Sequence, residues 1–195
     1  MKLEKIIKRE EKANKYFLFT MIGLFILLPL ILFLSNIKTL SIYLLLGLIE
    51  TLIILAILIK TNYYKLSFSY SSNRLKIKSG LFSKEYLLMC DKISIIHTEK
   101  FEEDIVLVFV TTVNIRNKAL RPITKKFFKK YPEATKEYQK LKEKNKDTIY
   151  YYQVIKRGGF KKYLLLDLVF KNAVRATITN SAIENIKISR GQSEI

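Results

Sequence analysis

Few side chains in this sequence of 195 residues have the types and spacing that catalysis or metal binding requires. The single histidine, His97, lies in a strand-like segment, and we expect a half-exposed position without the partners of a base or a metal ligand. The single cysteine, Cys90, follows Met89 in an apolar segment, which indicates core packing rather than a nucleophile. The sequence has no spaced cysteine and histidine cluster for zinc, so it predicts neither a metal nor a cofactor.

Two other segments could hold an ion. Four acidic residues precede a strongly apolar run: Glu99, Glu102, Glu103 and Asp104. They could bind a divalent cation, but a solvated hairpin tip explains them more simply. Arg157-Gly158-Gly159 lacks the Lys-Ser/Thr pair that follows the glycines of a phosphate loop. The sequence therefore predicts no catalytic residues and a protein that is not an enzyme.

The strongest binding signal is a short segment in which four lysines flank two phenylalanines: Lys125, Lys126, Phe127, Phe128, Lys129 and Lys130. In one interpretation the aromatic pair inserts at the lipid interface while the lysines hold anionic headgroups. In a second, which we disfavour, the lysines neutralise the phosphates of RNA or DNA. In a third, both phenylalanines lie in the domain core and the lysines are solvated around them.

Glu50 is the second residue of functional interest. It lies midway along an apolar run, where an ionisable group is costly and often functional. As a hypothesis it faces a partner helix, and it is either protonated or hydrogen-bonded to Thr51, to Ser41 or to its counterpart in a second copy; the last of these would make the protein a homo-oligomer. The alternative is a protonated glutamate that is tolerated without a role.

The elements that position these residues begin with two apolar runs, residues 16–34 and 40–59. Each has about the 20 residues that a helix needs to cross the hydrocarbon core. Because a backbone in lipid must satisfy its own hydrogen bonds, the two runs predict a transmembrane helical hairpin. A cleavable signal peptide and a buried hairpin of a soluble core are the disfavoured alternatives.

The placement of lysines predicts the topology. Residues 1–15 are rich in lysine, the connection between the runs contains only Lys38, and lysines follow the second run. Because positive charge resists translocation, both termini should face the cytoplasm of a multi-pass protein of the cell membrane. Residues 1–15 then form a basic cytoplasmic N-terminal helix, and residues 60–195 form a cytoplasmic domain. This domain has 28 basic and 13 acidic residues, within a net charge of +18 for the chain.

Alternating apolar and polar residues predict strands in the first half of this domain. The strands are predicted at residues 64–70, 74–78, 86–90, 93–98 and 105–113. The last of these is continuously apolar and β-branched, which indicates a strand covered on both faces. Short strands with turns between them favour a small antiparallel sheet, a sandwich or a partly open barrel.

A lysine-rich helical region follows. Residues 121–146 hold ten basic and three acidic side chains. Pro132 suits the first turn of a helix, which we predict at residues 132–144, and its narrow apolar stripe is typical of a helix that lies on a surface.

The C-terminal part is mixed. A tyrosine-rich strand is predicted at residues 149–155. Residues 163–170 are almost wholly apolar and fit a buried strand or a buried helix, of which we favour the helix. Ser181 and Glu184 have the spacing of a capping box, which predicts a last helix at residues 182–188.

The opening of the domain contains Tyr64-x-Leu66 followed by Arg74-Leu75-x-Ile77-x-x-Gly80-Leu81. Together with the preceding hairpin, this pattern resembles small bacterial membrane proteins that carry a bacterial PH-like domain, over about residues 64–113. The resemblance implies a membrane-anchored module without catalytic residues. The chain departs from that family after Val113, where the lysine-rich helical region begins.

The predicted fold class is therefore a membrane α+β protein, in which a transmembrane hairpin precedes an antiparallel β-rich, PH-like domain with a lysine-rich helical insertion and a short C-terminal helix. The predicted function is a non-catalytic interaction or scaffolding module of a bacterial inner membrane. Its expected partners are anionic lipid headgroups and an unidentified membrane protein. The alternative function is a subunit of a small channel, transporter or holin-like assembly that involves Glu50; an enzyme acting on lipid or envelope precursors is disfavoured.

Overall fold

Two long helices precede an α+β domain. The computed structural model describes residues 3–36, 39–101, 104–113 and 119–193. Helix α1 covers Leu3–Leu34 and helix α2 covers Leu40–Tyr64. Both are long and apolar enough to cross a membrane, and none of the most apolar window of α1 and only 6% of that of α2 is buried. The rest of the protein therefore does not cover these apolar surfaces as it would cover core helices.

Both helices extend beyond the predicted apolar runs. The basic residues before Tyr16 continue α1 without a break, and Pro29 lies inside the same helix. Helix α2 continues to Tyr64, which corrects the prediction that Tyr64 begins a strand. The Lys65 N–H donates to the Thr61 carbonyl at 3.1 Å and ends the helix one residue before the first strand.

The first sheet contains β1 (Leu66–Ser71), β2 (Arg74–Ser79) and β3 (Tyr86–Met89), all antiparallel and in that order. The predicted turn between β1 and β2 is confirmed, because Ser72 and Asn73 both have positive φ and Ser71 pairs with Arg74. Two successive positive φ values form the tight connection that matches the twist of a hairpin. A short 3₁₀ helix, Cys90–Lys92, follows β3 where the sequence predicted that the strand continues to Cys90.

The second sheet has the order β6-β7-β5-β4-β8. Its strands are β4 (Ile93–Phe101), β5 (Asp104–Thr111), β6 (Arg121–Pro122), β7 (Tyr151–Ile155) and β8 (Thr177–Ile178). Every residue of β5 is buried, which confirms that this strand is covered on both faces. The sheet is mixed rather than antiparallel, because β8 pairs in parallel with β4. A helical crossover between β7 and β8 gives β8 this direction.

Four helices complete the domain: α3 (Lys125–Lys130), α4 (Pro132–Lys144), α5 (Lys161–Asn172) and α6 (Asn180–Ser189). The predicted helices at 132–144, 163–170 and 182–188 are thereby confirmed. The N-cap of α6 is Thr179, whose hydroxyl accepts from the Ala182 N–H, rather than the predicted Ser181.

The second sheet has a hydrophobic core on each face. Helices α3 and α4 cover one face, where Phe127, Tyr131 and Ala134 meet Val108 and other residues of β4 and β5. Helices α5 and α6, the first sheet and the start of α1 cover the other face. The chain is thus an α+β domain whose larger core includes the N-terminal turns of the first apolar helix.

Candidate functional site

The lysine-rich helix α3 lies against the second sheet through Phe127. This side chain is 1% exposed, and its ring centroid is 4.7 Å from that of Tyr152 and 5.4 Å from that of Tyr131. Phe128 is 37% exposed and contacts the Tyr138 ring. The interpretation in which both phenylalanines enter lipid is therefore wrong for Phe127, because the sheet already buries it. The four lysines of α3 are exposed.

A basic cleft of about 550 Å³ opens beside α3. Lys126 and Lys130, one helical turn apart, line one side of it. The other basic residues that line the cleft are Arg121, Lys156 and Arg157. Its hydroxyl-bearing residues are Ser79, Ser83, Tyr86, Tyr131 and Tyr152. Among the residues that the structure describes, no acidic side chain lines this cleft, so its surface offers mainly cations and hydrogen-bond donors to a ligand.

One end of the basic cleft contacts the end of helix α2. The Arg157 guanidinium donates to Asn62 Oδ1 at 3.3 Å, and the Leu81 N–H donates to the same oxygen at 2.9 Å. Gly80 has a φ of +101°, and a Cβ at this position would lie 2.6 Å from both Arg157 Nη1 and Asn62 Oδ1. The close approach of strand, loop and helix therefore requires glycine at this point.

A second contact region, which we call the junction, joins α1 and α2 to the start of α5. The Glu10 carboxylate accepts from the Phe160 N–H, with oxygen distances of 3.2 and 3.4 Å. Glu11 forms an ion pair with Lys161 at 2.8 Å, and the Gly158 N–H donates to the Tyr63 carbonyl at 2.8 Å. The two long helices are therefore bonded to the domain by both backbone and side chains.

A buried ion pair lies at the junction. Lys162 is 0% exposed, and its Nζ is 2.6 Å from Asp104 Oδ2 and 2.7 Å from the Lys156 carbonyl. The Tyr63 hydroxyl donates to the same Asp104 oxygen at 3.2 Å. Burial lowers the pKa of Lys162, while the hydrogen bond to Asp104 opposes this shift. Each charge is thus stabilised by a partner, and the ammonium is fully buried while the aspartate is 8% exposed.

This ion pair corrects the prediction of a solvated acidic tip. Asp104 is 8% exposed and pairs with Phe101 at the end of the β4–β5 ladder. Glu102 and Glu103 lie outside the described residues. Within the described part of the chain, no group of three or more histidine, cysteine, aspartate or glutamate residues could hold a metal ion.

The junction should depend on pH through Glu10. Burial raises the pKa of Glu10 from 4.5 to about 7, partly opposed by the hydrogen bond from Phe160. Because the folded state binds this proton more tightly than the unfolded state does, stability should fall as pH rises from 4.5 to about 7. Glu10→Gln removes this ionisation, so the variant should unfold at a higher temperature than the parent above pH 7 and at a similar temperature near pH 4.5.

Thermal unfolding of the detergent-solubilised full chain, followed by circular dichroism, measures this difference. Glu11→Gln is the matched control, because the hydrogen bond from Lys161 lowers the pKa of Glu11. The control should therefore give no gain in stability at high pH. A Glu10→Gln variant that is less stable than the parent at both pH extremes would contradict the prediction.

The structure places His97 in a cluster of polar side chains that sequence reasoning missed. His97 is 2% exposed rather than half-exposed. Its Nδ1 lies 3.0 Å from Thr179 Oγ1 and 3.2 Å from Ser181 Oγ, and its Nε2 lies 3.2 Å from a Glu99 oxygen. Glu133 of α4 approaches Nδ1 to 3.6 Å. No local pattern could have revealed the cluster, because its members lie on three separate segments of the chain.

The histidine cluster has the residue types of a Ser-His-Glu hydrolase but not its open geometry. The Ser181 N–H, at the start of α6, donates to Glu133 Oε1 at 3.2 Å. Burial works to raise the pKa of Glu133, but the hydrogen bonds from Ser181 hold it below its ordinary value. The donor that would polarise a substrate carbonyl is thus already occupied by a carboxylate. The cluster connects α4 and α6 to β4.

The two remaining candidate residues from the sequence are Cys90 and Glu50. Cys90 is 1% exposed, as its predicted core packing requires, and burial raises its pKa to about 11. Glu50 lies in the middle of α2 and has no ion pair or side-chain hydrogen bond within the described residues, while the Thr51 hydroxyl donates to the Gly47 carbonyl. A partner for Glu50 in a neighbouring helix or a second copy stays a prediction.

The fold and these contacts define the class of protein as a basic α+β domain bonded to two long apolar helices. No family model matches the chain, and no curated protein or solved structure is significantly similar to it. The resemblance to PH-like proteins therefore stays a prediction.

Proposed function

We propose that this protein is a non-catalytic, membrane-anchored interaction module of a bacterial inner membrane. In this proposal α1 and α2 cross the bilayer, both termini lie in the cytoplasm, and the basic domain lies against the inner leaflet. The observation that carries the proposal is that each long apolar helix continues, without a break, into the packed junction.

The junction would hold the domain in a fixed orientation relative to α1 and α2. Leu3 and Ile7 of α1 are 5% and 8% exposed within the larger core, and Asn62 and Tyr63 of α2 bond to the domain. A domain held in this way cannot rotate freely on a linker. Its orientation at the membrane would be fixed, and its effective concentration for neighbours in the membrane would be high.

Charge supports placement at the inner leaflet. The 28 basic and 13 acidic residues after position 59 give the domain a strong excess of positive charge. Anionic lipid attracts each lysine near the surface by about 1 kcal/mol. The domain would therefore be attracted to the leaflet on which the positive-inside rule places it.

The proposal also includes a PH-like identity for the domain. The β1–β2 hairpin, closed by Gly80, supports it. The lysine-rich α3 and α4 and the parallel strand β8 are departures, and we regard them as additions specific to this chain.

The absence of catalysis is proposed because the reactive groups have structural partners. Both ring nitrogens of His97 contact side-chain oxygens of the histidine cluster, and the Cys90 thiol is buried with a raised pKa. A nucleophile needs exposure and an available base, and neither residue meets both requirements.

Labelling of single cysteines tests the anchor in the full chain. In a Cys90→Ala background, Ser35→Cys lies between α1 and α2, and Ser193→Cys lies near the C-terminus; both parent side chains are exposed. We expect an impermeant maleimide to label Ser35→Cys in intact bacterial cells and to label Ser193→Cys only after lysis. The chain should also stay in the membrane pellet during alkaline carbonate extraction.

Two results would refute the proposal. Release of the chain by carbonate would show that α1 and α2 do not span the membrane. Labelling of Ser193→Cys in intact cells would show that the domain lies outside. Labelling of Ser35→Cys after solubilisation in detergent is the control that its thiol reacts when accessible.

A further inference from the structure

We infer that the basic cleft is a binding site for a phosphate-bearing anion. The five basic residues that would hold it are Arg121, Lys126, Lys130, Lys156 and Arg157. Phosphate groups occur on lipid headgroups and on small soluble molecules, and the cleft chemistry suits both sources. The headgroup source rests on the proposed membrane anchor, whereas the soluble source does not.

The positive charge of the cleft is unbalanced. Other basic residues of the domain have carboxylate partners, such as Lys161 with Glu11 and Lys171 with Asp167. Within the described ranges, none of the five basic residues of the cleft forms an ion pair. Neighbouring cations without counter-charges repel one another, and a concave surface concentrates their field on an approaching anion. A bound phosphate would neutralise that field.

The hydrogen-bond donors that line the cleft suit phosphate oxygens. Arg157 presents a planar guanidinium that can hold two phosphate oxygens, and its contact with Asn62 fixes its position. The phenols of Tyr86 and Tyr131 are protonated at neutral pH, and burial raises the pKa of both further, that of Tyr131 to about 12. The cleft therefore presents cations and neutral hydroxyls rather than anions to its ligand.

The size of the cleft suits a small phosphate-bearing molecule. A volume of about 550 Å³ lies within the range of small-molecule sites, and it accommodates a headgroup or a small phosphate ester. A nucleic acid would need exposed rings on which bases could stack. Of the three rings that line the cleft, Tyr131 is 2% exposed and Tyr86 and Tyr152 are half-buried, so none of them is a fully exposed platform.

The cleft lies close to the end of the apolar run of α2. Asn62, which contacts the Arg157 end of the cleft, lies three residues beyond the apolar run that ends at Ile59. Three residues of helix rise about 4.5 Å, which is less than the depth of one headgroup layer. If α2 spans the bilayer, this end of the cleft lies at the level of the phosphates of the inner leaflet.

A pair of matched variants tests the inference. Lys126→Gln/Lys130→Gln removes two charges from the cleft, whereas Lys125→Gln/Lys129→Gln removes two charges from the same helix outside it. The probes are inorganic phosphate, dioctanoylphosphatidylglycerol, dioctanoylphosphatidylcholine and a single-stranded DNA oligonucleotide, each titrated onto the detergent-solubilised full chain by thermophoresis. We expect the cleft variant to lose roughly tenfold or more in affinity for the phosphate-bearing anion, and the matched variant about twofold or less.

The probes distinguish the two sources. Tighter binding of phosphatidylglycerol than of phosphate or phosphatidylcholine would identify a headgroup site, and binding of phosphate without a phospholipid preference would identify a soluble ligand. Arg121→Gln/Lys156→Gln is the second cleft variant, on strand β6 and after strand β7 rather than on α3. It keeps the test decisive if the α3 variant fails to fold.

Three results would overturn the inference. These are equal losses in the cleft and matched variants, the absence of saturable binding of any anionic probe, and cleft-dependent binding of single-stranded DNA alone. Each is distinguishable from failure of the anchor, because carbonate extraction uses membranes and does not report on the cleft. A chain released by carbonate could still bind phosphate in detergent.

Discussion

Asp104→Ala is expected to destabilise the domain by about 3–5 kcal/mol, because it leaves a buried ammonium without its counter-charge. Lys162 is 0% exposed, and after the substitution its Nζ would retain, among the described residues, the hydrogen bond to the Lys156 carbonyl and the electrostatic attraction of Glu10. The Tyr63 hydroxyl and the Ile105 N–H would lose the carboxylate as well. The loss should lower the unfolding temperature by roughly 10 °C.

The double variant Asp104→Ala/Lys162→Met is the control. It removes both charges and keeps much of the apolar volume of the lysine stem, so it should recover more than half of the stability that Asp104→Ala loses. Equal instability of the single and the double variant would contradict the prediction. That result would mean that the cost arises from Tyr63 and the strand end rather than from the unpaired ammonium.

Cys90 provides the measurement. It is the only cysteine of the chain and is 1% exposed, so a fluorogenic maleimide should react with it only as the domain unfolds. The temperature at which fluorescence rises in the detergent-solubilised full chain reports the stability of the domain itself. Helices α1 and α2 contain no cysteine and do not contribute to this signal.

The ion pair also explains how the domain and the long helices act as one unit. Asp104 begins β5, Lys162 lies in the first turn of α5, and Tyr63 lies in the last turn of α2. Three elements distant in sequence therefore meet at one carboxylate. Loss of Asp104 should loosen the junction as well as the domain core.

Elements with a strong local pattern could be predicted from the sequence. The continuous apolar run of β5 identified a strand buried on both faces, and Pro132 marked the first turn of α4. The ends of the long helices could not be predicted from hydropathy. The side chains become polar after Ile59, but the backbone hydrogen bonds of α2 continue to Tyr64.

The candidate site was only partly predictable, because it combines local and distant residues. Helical spacing already separates Lys126 and Lys130 from Lys125 and Lys129, so a short helix would have suggested two different faces. These lysines and Arg157 line the same cleft because β7 packs beside the first sheet. No local sequence pattern indicates that packing. The same reason concealed the partners of Asp104 and of His97.

Phe127→Ala should destabilise the domain by about 3–5 kcal/mol, because it opens a cavity between α3 and the second sheet. Its ring is 1% exposed and packs against Tyr131 and Tyr152. Phe128→Ala is the matched control on the same helix, and because Phe128 is 37% exposed we expect a loss of about 1 kcal/mol or less. The Cys90 maleimide assay measures both variants.

This pair decides between the core and lipid interpretations of the aromatic segment. If Phe127 served mainly to enter lipid, its replacement would reduce binding of the chain to anionic vesicles and leave the unfolding temperature in detergent unchanged. The burial of Phe127 instead predicts a large loss of stability for Phe127→Ala and a small one for Phe128→Ala. Similar unfolding temperatures for the two variants would contradict the placement of α3 on the sheet, and with it the wall of the basic cleft that Lys126 and Lys130 form.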